Sequence, residues 1–432
     1  MTDGTTSKSS ASPPEKAKLG LDDLIITVVM AQVTDYFGFF VYAFASVLVF
    51  PRFVFSNYDP ATAVLLSFAV FPLAFLARPF ASQSFKFLEM RTGRSVKITV
   101  ALFILGGSTM AIGLLPSYET AGWLAPVLLI VFRIGQGIGL GGSWDGMTLL
   151  LQTHASEKRQ GWYAMIPQLG APIGLCVAGA IYFVLTGFLT DEEFINWGWR
   201  WPFFAVLAVN VVSLFARLQL IHSEAHEILK EEVQLKSSPF FEMLSVHWRD
   251  VLMATFLPLS SYAILHMVTV FPLAYEYLYH EKPIADFLLL MLIGGFICIP
   301  SVAISGLLSD RFGRRRMLAI VSLLIGMFSF LVNSLPDGGL AYILIGYVLF
   351  GLSYGQASAI LPGRFQQKYR YTGSALATNL SWIFGAAFAP IVATGLALNF
   401  GLLFAGFYLL SGALVTLAAL AILGFSEKLE HD

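Results

Sequence analysis

Charged residues are scarce in this chain. Asp, Glu, Lys and Arg make up 12% of its 432 residues, whereas they make up about a quarter of a typical soluble domain. A soluble chain of this length would form domains with polar surfaces, and this composition excludes that class. Instead, 57% of the residues are hydrophobic, and apolar segments recur at roughly 20 residues, the length of a helix that crosses a bilayer. The sequence therefore predicts an all-α membrane protein with many spans.

A strong net charge and a cysteine framework are also absent. The formal net charge is -1, which excludes the basic face that nucleic acid requires. The two cysteines, Cys176 and Cys298, lie inside apolar segments and fit neither a disulfide framework nor a zinc site. The first 20 residues are polar and contain no apolar signal core, so we expect a disordered tail that is not cleaved.

Motifs for common enzyme and ATPase chemistry are missing as well. The sequence has no G-x-x-x-x-G-K loop, no Ser-nucleophile motif and no His/Cys/Asp cluster with metal-ligand spacing. The stretch GIGLGG at 137–142 matches G-x-G-x-x-G, but it follows apolar helix rather than a strand. We interpret these glycines as a surface for close helix packing. We therefore predict no catalytic residue, no metal and no cofactor.

Twelve apolar segments are predicted to be membrane-spanning helices. They cover about residues 21–50, 61–81, 97–116, 122–153, 160–188, 200–221, 249–278, 284–308, 315–335, 340–362, 372–398 and 400–424. The loops alternate between a basic kind and a kind with almost no Lys or Arg, and basic loops are typical of the cytoplasmic side. An even number of spans then places both termini in the cytoplasm, in a multi-pass protein of the inner membrane.

The longest internal loop divides the chain into two similar halves. The predicted units are a cytoplasmic tail (1–20), a six-helix bundle (21–221), a cytoplasmic loop (222–248), a second six-helix bundle (249–424) and a cytoplasmic tail (425–432). One constant offset aligns FKFLEMRTGRS at 85–95 with SGLLSDRFGRR at 305–315, and also aligns the Gly-Gln pairs at 135–136 and 355–356. Two pseudo-symmetric bundles are the plan of many secondary transporters.

Several longer motifs carry a family resemblance. They are GLLSDRFGRRR (306–316), RPF (78–80), FRIGQGIGLGGSW (132–144), YAMIPQLGAPIGL (163–175) and WGWRWPFF (197–204). Together they resemble the major facilitator superfamily, specifically its metabolite:proton symporter branch, which carries citrate, 2-oxoglutarate, shikimate, and proline or betaine. The resemblance implies that superfamily's fold and alternating-access transport of a small organic acid or zwitterion with protons.

The sequence departs from the branch at positions that bear on coupling. The first span reads DYFGF at 35–39, without the branch's second acid. Ser143 replaces the Glu of the branch's GGEW motif, although Asp145 follows two residues later. In the first-half loop Met90 occupies the usual Asp position, with Glu89 just before it. These departures leave the coupling ion and its stoichiometry open.

A carboxylate near the middle of the apolar first span predicts a functional site. A charge at a helix centre costs about 2.5–3.5 kcal/mol, and such residues usually face a cavity. Arg133 in the fourth span is the natural opposite charge, because its donor fork suits a carboxylate of the substrate or of Asp35. The resemblance to the symporters implies that Asp35 carries the proton or helps to form the site, and that Arg133 binds an anionic substrate group. The alternative is a structural Asp35–Arg133 ion pair without cargo contact.

Other polar and aromatic residues within the spans are further candidates. Asp145 is a second candidate for proton coupling, unless it lies at the cytoplasmic end of its helix. The candidate substrate contacts, together with Asp35 and Arg133, are Gln32, Tyr42, Gln136, Trp144, Tyr163, Gln168, Tyr262, His266, Asn379 and Trp382. A packing role accounts equally well for several of them, and a lone histidine such as His266 is more often a buried packing group.

The charged loops after spans 2 and 8 are the predicted gates. Their charges bridge neighbouring helix ends and hold the cytoplasmic side closed until the halves rock apart. The gating residues are Glu89, Arg91, Arg94, Asp310, Arg311, Arg314 and Arg315. Because Met90 cannot accept a hydrogen bond from an arginine as an Asp would, we expect easier opening toward the cytoplasm. The alternative is that these charges only anchor the loops inside the cell.

Three classes of function remain. The first is proton symport of a small carboxylate or zwitterion by a monomer in the lipid bilayer. The second is a proton-independent facilitator or an exporter of the same fold, which the missing acids would permit. The third is a membrane enzyme or receptor, which the missing motifs and the lack of an appended signalling domain disfavour.

Overall fold

The computed structural model describes residues 21–143, 151, 157–221, 238, 240–279 and 283–429. Within these ranges the chain has no β-strand, and twelve helices are long and apolar enough to cross a membrane. Spans 1 to 6 are Leu24–Leu48, Pro60–Thr92, Arg94–Gly113, Leu124–Ser143, Gln160–Phe188 and Gly198–Gln219. Spans 7 to 12 are Phe240–Tyr279, Ile284–Phe312, Arg314–Asp337, Leu340–Arg364, Arg370–Phe400 and Leu402–Leu423. The prediction of an all-α protein with twelve spans is confirmed.

Several spans consist of consecutive helices rather than one. Span 2 contains the helices Pro60–Val70 and Leu73–Thr92, and span 5 contains Gln160–Met165, a 3₁₀ turn at Ile166–Leu169 and Gly170–Phe188. Span 7 contains Phe240–Phe256, Leu259–Val268 and Val270–Tyr279. Span 11 contains Arg370–Ser381, a π-helix at Trp382–Ala387 and Ala389–Phe400. Pro72, Pro167 and Pro258 stand at three of these breaks. Proline lacks the backbone N–H of a helix interior, so the chain bends there and leaves carbonyl groups for other partners.

Span 7 begins at Phe240, nine residues before the predicted start at 249. Charges in 240–250 suggested a loop, but the segment is amphipathic. Met243, His247 and Val251 are buried at four-residue steps, whereas Arg249 is exposed. The apolar face packs on the first helix of span 11. A kink at His247, whose φ is -117° and ψ 23°, separates this segment from the rest of the helix. Tertiary packing therefore adds a helical segment within the predicted inter-bundle loop, of which residues 222–237 and 239 lie outside the described residues.

The internal repeat is visible in the backbone. Gly93 and Gly313, which the constant sequence offset pairs, have positive φ values of 89° and 85°. Each of them ends one span and begins the next, after spans 2 and 8. A left-handed φ is easily adopted only by glycine. The two loops therefore turn in the same way for the same physical reason.

Glycines of span 4 allow close helix packing, as the sequence analysis proposed. A Cβ at Gly137 would lie 2.2 Å from the carbonyl oxygen of Ala74 in span 2. A Cβ at Gly139 would lie 2.6 Å from the backbone nitrogen of Leu105 in span 3. Neither position has room for a side chain, so spans 2, 3 and 4 are in backbone contact.

The two halves contact each other at both ends of the bundle. The loops at 86–97, 311–316 and 364–370 lie on one side of the bundle, which we call the basic face. Toward this face, the helix Gln160–Met165 packs on span 8. On the opposite face, the helices Pro60–Val70 and Ala389–Phe400 pack together. The space between the halves is therefore bounded at both ends.

Candidate functional site

A cavity of about 130 Å³ lies between the halves. Since a water molecule occupies about 30 Å³ in the liquid, the cavity holds a few waters or a small solute. Spans 1 to 6 line it from the first half, and spans 7, 10 and 11 from the second. Its polar and aromatic lining includes Gln32, Asp35, Tyr36, Arg78, Arg133, Gln136, Gln168, Asn210, Arg217, Tyr262, Tyr354 and Trp382. We call it the central cavity.

Asp35 is paired with Arg217 of span 6. Nη2 of Arg217 lies 3.0 Å from Oδ1 and 2.9 Å from Oδ2 of Asp35, and it also donates to the carbonyl of Ala31. Nη1 of Arg217 donates to the carbonyl of Ser143. Arg217 thereby connects spans 1, 4 and 6. The alternative interpretation, a structural ion pair between Asp35 and Arg133, is not observed, because the guanidinium of Arg217 binds the Asp35 carboxylate instead.

Arg133 is bound by groups of its own half. Its Nε and Nη2 donate to the carbonyl of Phe71 at 3.2 and 3.1 Å, and its Nη1 donates to Oε1 of Gln136 at 2.9 Å. The Phe71 carbonyl lies next to Pro72, at the break in span 2. The ring of Tyr42 lies 3.7 Å below the guanidinium. Only 3% of Arg133 is exposed, so its face and its edge are both covered by protein.

The position of the missing second acid is also occupied. Gly38 lines the central cavity, and a Cβ there would lie 3.1 Å from Cγ1 of Val206 in span 6. A side chain at this position would require Val206 to shift by a few tenths of an ångström. The packing of span 6 on span 1 therefore matches the absence of that acid.

The other predicted substrate contacts divide into three groups. Those that line the central cavity are Gln32, Gln136, Gln168, Tyr262 and Trp382, with Asp35 and Arg133. Those among the described residues that do not line it are Tyr42, Tyr163, His266 and Asn379. Trp144 and Asp145 lie outside the described residues. His266 is fully buried beside the rings of Phe39 and Phe71, with ring centroids 5.5 and 5.0 Å away, and neither of its ring nitrogens has a hydrogen-bond partner among the described residues.

Sequence reasoning missed several residues of this cavity, among them two arginines and two tyrosines. Arg78 and Arg217 are charges in apolar spans, so the argument that singled out Asp35 also applied to them. Tyr36 and Tyr354 come from different halves, and their hydroxyl groups are in hydrogen-bonding contact. No sequence signal distinguished these two tyrosines from the many other aromatic residues.

A second cavity of about 490 Å³ lies between spans 2 and 11, toward the basic face. We call it the lower cavity. Its charged lining consists of Arg78, Lys86, Glu89 and Lys97, among the residues that the structure describes. Arg78 lines both cavities. Asn379, predicted to contact the substrate, lines the lower cavity instead of the central one.

The predicted gate of the second half makes contacts between the halves. Asp310, at the end of span 8, accepts hydrogen bonds from the backbone N–H groups of Gly161 at 2.6 Å and Trp162 at 3.1 Å. Nε2 of Gln356 donates to the carbonyl of Gly161. Arg314 in turn donates to Oε1 of Gln356 and to the carbonyl of Ala359. These bonds fasten the start of span 5 to spans 8 and 10.

The other predicted gating residues contact only their own half in the bonds described. Glu89 pairs with Lys97 at 2.8 Å, and Met90 is 69% exposed. Arg91 and Arg311 stack on the rings of Phe87 and Phe312, Arg94 begins span 3, and Arg315 donates to the carbonyl of Leu420. The two pseudo-symmetric loops therefore differ, since Asp310 bridges the halves whereas Glu89 bonds within its own half.

Comparison with known proteins agrees with this architecture. A family model described as Major Facilitator Superfamily matches residues 126–382. The inner membrane metabolite transport protein YhjE of Escherichia coli (strain K12) is 36% identical, over 92% of this chain and 93% of its own length. The shikimate transporter of the same organism is 29% identical, over 92% and 93%. The proline/betaine transporter of Salmonella typhimurium is 27% identical, over 92% and 82%. A crystal structure of a D-xylose-proton symporter aligns with a TM-score of 0.69 at 15% identity, over 93% of this chain and 96% of that one.

Proposed function

This chain belongs to the major facilitator superfamily, whose members are transporters rather than enzymes, and from that premise we propose that it is a proton-coupled secondary transporter of a small organic acid or zwitterion. The predicted family, fold class and non-enzymatic nature are thereby confirmed. The cargo, the coupling to protons and the orientation in the membrane belong to the proposal.

One observation carries the proposal. A small polar cavity lies between two six-helix halves, and its wall contains the carboxylate–guanidinium pair of Asp35 and Arg217. Charged groups are expensive inside a membrane and are kept there where they act on a solute or an ion. Contacts between the halves on both sides of the cavity mean that a solute enters or leaves only when one set of contacts opens.

Asp35 is proposed to carry the coupled proton. Protonation removes the negative charge that Arg217 binds, and it also weakens the link that Arg217 makes between spans 1, 4 and 6. The side chain of Asp35 is 19% exposed, whereas that of Arg217 is 2% exposed, so the carboxylate is the partner that a proton can reach from the cavity. A proton that moves down a potential of 100 mV releases about 2.3 kcal/mol.

The basic face is proposed to be cytoplasmic, and both termini with it. Loops rich in Lys and Arg remain inside the cell. The hydrogen bonds of Asp310 to Gly161 and Trp162 then close the cytoplasmic side. Opening that side requires these bonds to break, which is the expected step between the outward and inward states.

The proposed cargo class rests on similarity and on charge. Two relatives are named for shikimate and for proline or betaine, all of which contain a carboxylate. The central cavity is lined by three arginines and one acid among the described residues, namely Arg78, Arg133, Arg217 and Asp35. An excess of positive charge favours a solute with a negatively charged group.

Flux into proteoliposomes tests the proposal. Purified protein is reconstituted, and initial rates are measured for shikimate, proline, glycine betaine, citrate and 2-oxoglutarate, with and without an imposed pH gradient. We expect at least one solute to enter faster under the gradient. Asp35→Asn should abolish that acceleration, whereas Asp191→Asn, at an exposed surface pair, should retain it. Full pH dependence in Asp35→Asn would refute the proton role, and no movement of any solute would contradict transport of this class.

A second candidate function is a facilitator or exporter without proton coupling. The observation that favours it is the close packing of Val206 against Gly38, the position of the second acid of the symporter branch, where a Cβ would lie 3.1 Å from Cγ1 of Val206. In that case the rates would be equal with and without the gradient, and Asp35→Asn would alter both to the same extent.

A further inference from the structure

Three arginines line the central cavity, and two of them are occupied by the protein. Arg133 binds the carbonyl of Phe71 and the amide oxygen of Gln136. Arg217 binds Asp35 and two backbone carbonyls. A substrate carboxylate at either guanidinium would compete with these acceptors. Three of the five N–H donors of Arg133 are used by its own half, which weakens the predicted assignment of the substrate anion to Arg133.

The third arginine, Arg78, is different. It is half-buried on span 2, and it has no hydrogen-bond or ion-pair partner in the part of the chain that the structure describes. A guanidinium has five N–H donors in a planar fork, and leaving them without acceptors inside a membrane is costly. The position thus has unused capacity to bind an acceptor, and a carboxylate matches the fork with two parallel hydrogen bonds.

Hydroxyl groups from both halves line the central cavity together with this guanidinium. Tyr36, Tyr262 and Tyr354 lie within the electrostatic reach of Arg78, as does the carboxylate of Asp35, which Arg217 already binds. Tyr36 belongs to the first half, whereas Tyr262 and Tyr354 belong to the second. The hydroxyl of Tyr262 has no hydrogen-bond partner among the described residues. A carboxylate on Arg78 can therefore accept hydrogen bonds from the second half as well.

Arg78 also lies where the two cavities meet, since it lines both of them. In the lower cavity, Glu89 is paired with Lys97, and Nζ of Lys86 donates to the carbonyl of Ser238. The described charged lining of that cavity, Arg78 included, has three cations and one anion. This excess of positive charge attracts an anion along the path toward the basic face.

We propose that Arg78 is the residue that binds the carboxylate of the transported solute, and that the cargo is therefore a carboxylate. This inference rests on the proposed transport function. A carboxylate held by Arg78 of the first half and by the tyrosine hydroxyls of the second half stabilises the state in which the halves are close. Binding then favours closure, because a ligand shifts a conformational equilibrium toward the state in which it makes more contacts.

Discrimination between a carboxylate and the corresponding carboxamide, in which that group is uncharged, tests this assignment. Initial rates into proteoliposomes are measured for shikimate, proline and glycine betaine and for the primary carboxamide of each. Wild-type protein should prefer the carboxylates. Arg78→Gln should lower kcat/KM for the carboxylates roughly 10- to 100-fold, the loss expected for hydrogen bonds between charged groups, and should leave the amides nearly unchanged. Arg78→Lys, which keeps the charge but not the fork, should give an intermediate loss.

Arg249→Gln is the matched control. Arg249 is an exposed arginine that stacks on Trp248 and lines neither cavity, so its loss should not alter the preference. If Arg78→Gln keeps the wild-type ratio of acid to amide, the assignment of Arg78 is overturned while transport itself stands. If wild-type protein moves none of the six compounds, the proposed function and this inference fall together.

Chemical modification of the wild-type protein tests the same assignment without a variant that could fail to fold. Phenylglyoxal modifies accessible arginines, and peptide mass spectrometry reports the extent at each site. We expect shikimate, proline or glycine betaine to slow modification of Arg78 at least severalfold, with the rate at Arg249 unchanged and the amides without effect. Equal modification of Arg78 with and without all three carboxylates would overturn the assignment.

Discussion

The ion pair of Asp35 and Arg217 provides the sharpest test of the structure. In Asp35→Asn, the guanidinium of Arg217 remains in a site where it is 2% exposed but loses the negative charge of Asp35. In the double variant Asp35→Asn with Arg217→Gln, that buried charge is absent. We therefore expect the double variant to be less destabilised than the sum of the two single variants.

The size of the effect follows from the geometry. Removing one partner of a buried ion pair costs about 3–5 kcal/mol. The cost of Asp35→Asn should be lower, at about 1.5–3 kcal/mol for the loss of a charged acceptor, because asparagine keeps one oxygen. Arg217 also keeps the carbonyls of Ala31 and Ser143, at 3.2 Å each. The interaction energy between positions 35 and 217 should therefore be above about 1 kcal/mol.

Unfolding of the purified protein in mixed micelles with an increasing fraction of SDS measures these free energies. The matched control is the exposed pair of Arg52 and Asp191, whose side chains are 37% and 75% exposed, studied as Arg52→Gln, Asp191→Asn and the double variant. Exposed pairs contribute about 0–1 kcal/mol. If the interaction energy at positions 35 and 217 does not exceed that of the control, the prediction that Asp35 and Arg217 form a stabilising buried ion pair is wrong.

The control also defines the pH of the experiment. Hydrogen bonds from Arg52 lower the pKa of the Asp191 carboxyl below its ordinary value. The contribution of this pair is thus present above the unfolded pKa of about 3.9 and is lost as the pH falls through the lowered folded value. Measurements at pH 7 keep the control pair ionised.

Two further predictions concern the basic face. Asp310→Asn should raise the population of molecules open at that face about fivefold, because the backbone N–H groups of Gly161 and Trp162 lose a charged acceptor. Distances between spin labels on spans 5 and 8 report this change. An unchanged distance distribution would contradict the role of Asp310 in holding that face closed. Met90→Asp places an acid at the position equivalent to Asp310 and should lower the population open at the basic face severalfold. If cysteines introduced along the path from the basic face are equally accessible in Met90→Asp and wild type, an acid at position 90 does not help to close that face.

The two loops after spans 2 and 8 show why a repeat in sequence does not imply a repeat in contacts. Gly93 and Gly313 have nearly the same φ, since a local steric requirement sets the backbone at each. Asp310 nevertheless bridges the halves, whereas Met90 is exposed and Glu89 binds Lys97. Asp310 therefore joins the halves on its side of the bundle, whereas position 90 makes no such bond. This difference leaves space for the lower cavity between spans 2 and 11.

Most of the architecture could be predicted from the sequence. The number of spans follows from local chemistry, because a bilayer requires long apolar helices, and the internal repeat follows from motifs aligned at one constant offset. That Asp35 faces an interior cavity also follows, since a carboxylate is costly in lipid. The start of span 7 at Phe240 did not follow, because only the packing of Met243 and Val251 on span 11 makes that charged segment helical.

The partner of Asp35 was decided by tertiary structure alone. Arg78, Arg133 and Arg217 are all cations in apolar spans, and periodicity assigns each to a face of its own helix without giving the rotation of that helix against its neighbours. The break at Pro72 supplies the Phe71 carbonyl that engages Arg133, and the packing of span 6 on span 1 brings Arg217 to Asp35. Helix rotation and backbone breaks are set by contacts among many residues, so a pairing between distant positions becomes visible only when the helices are assembled.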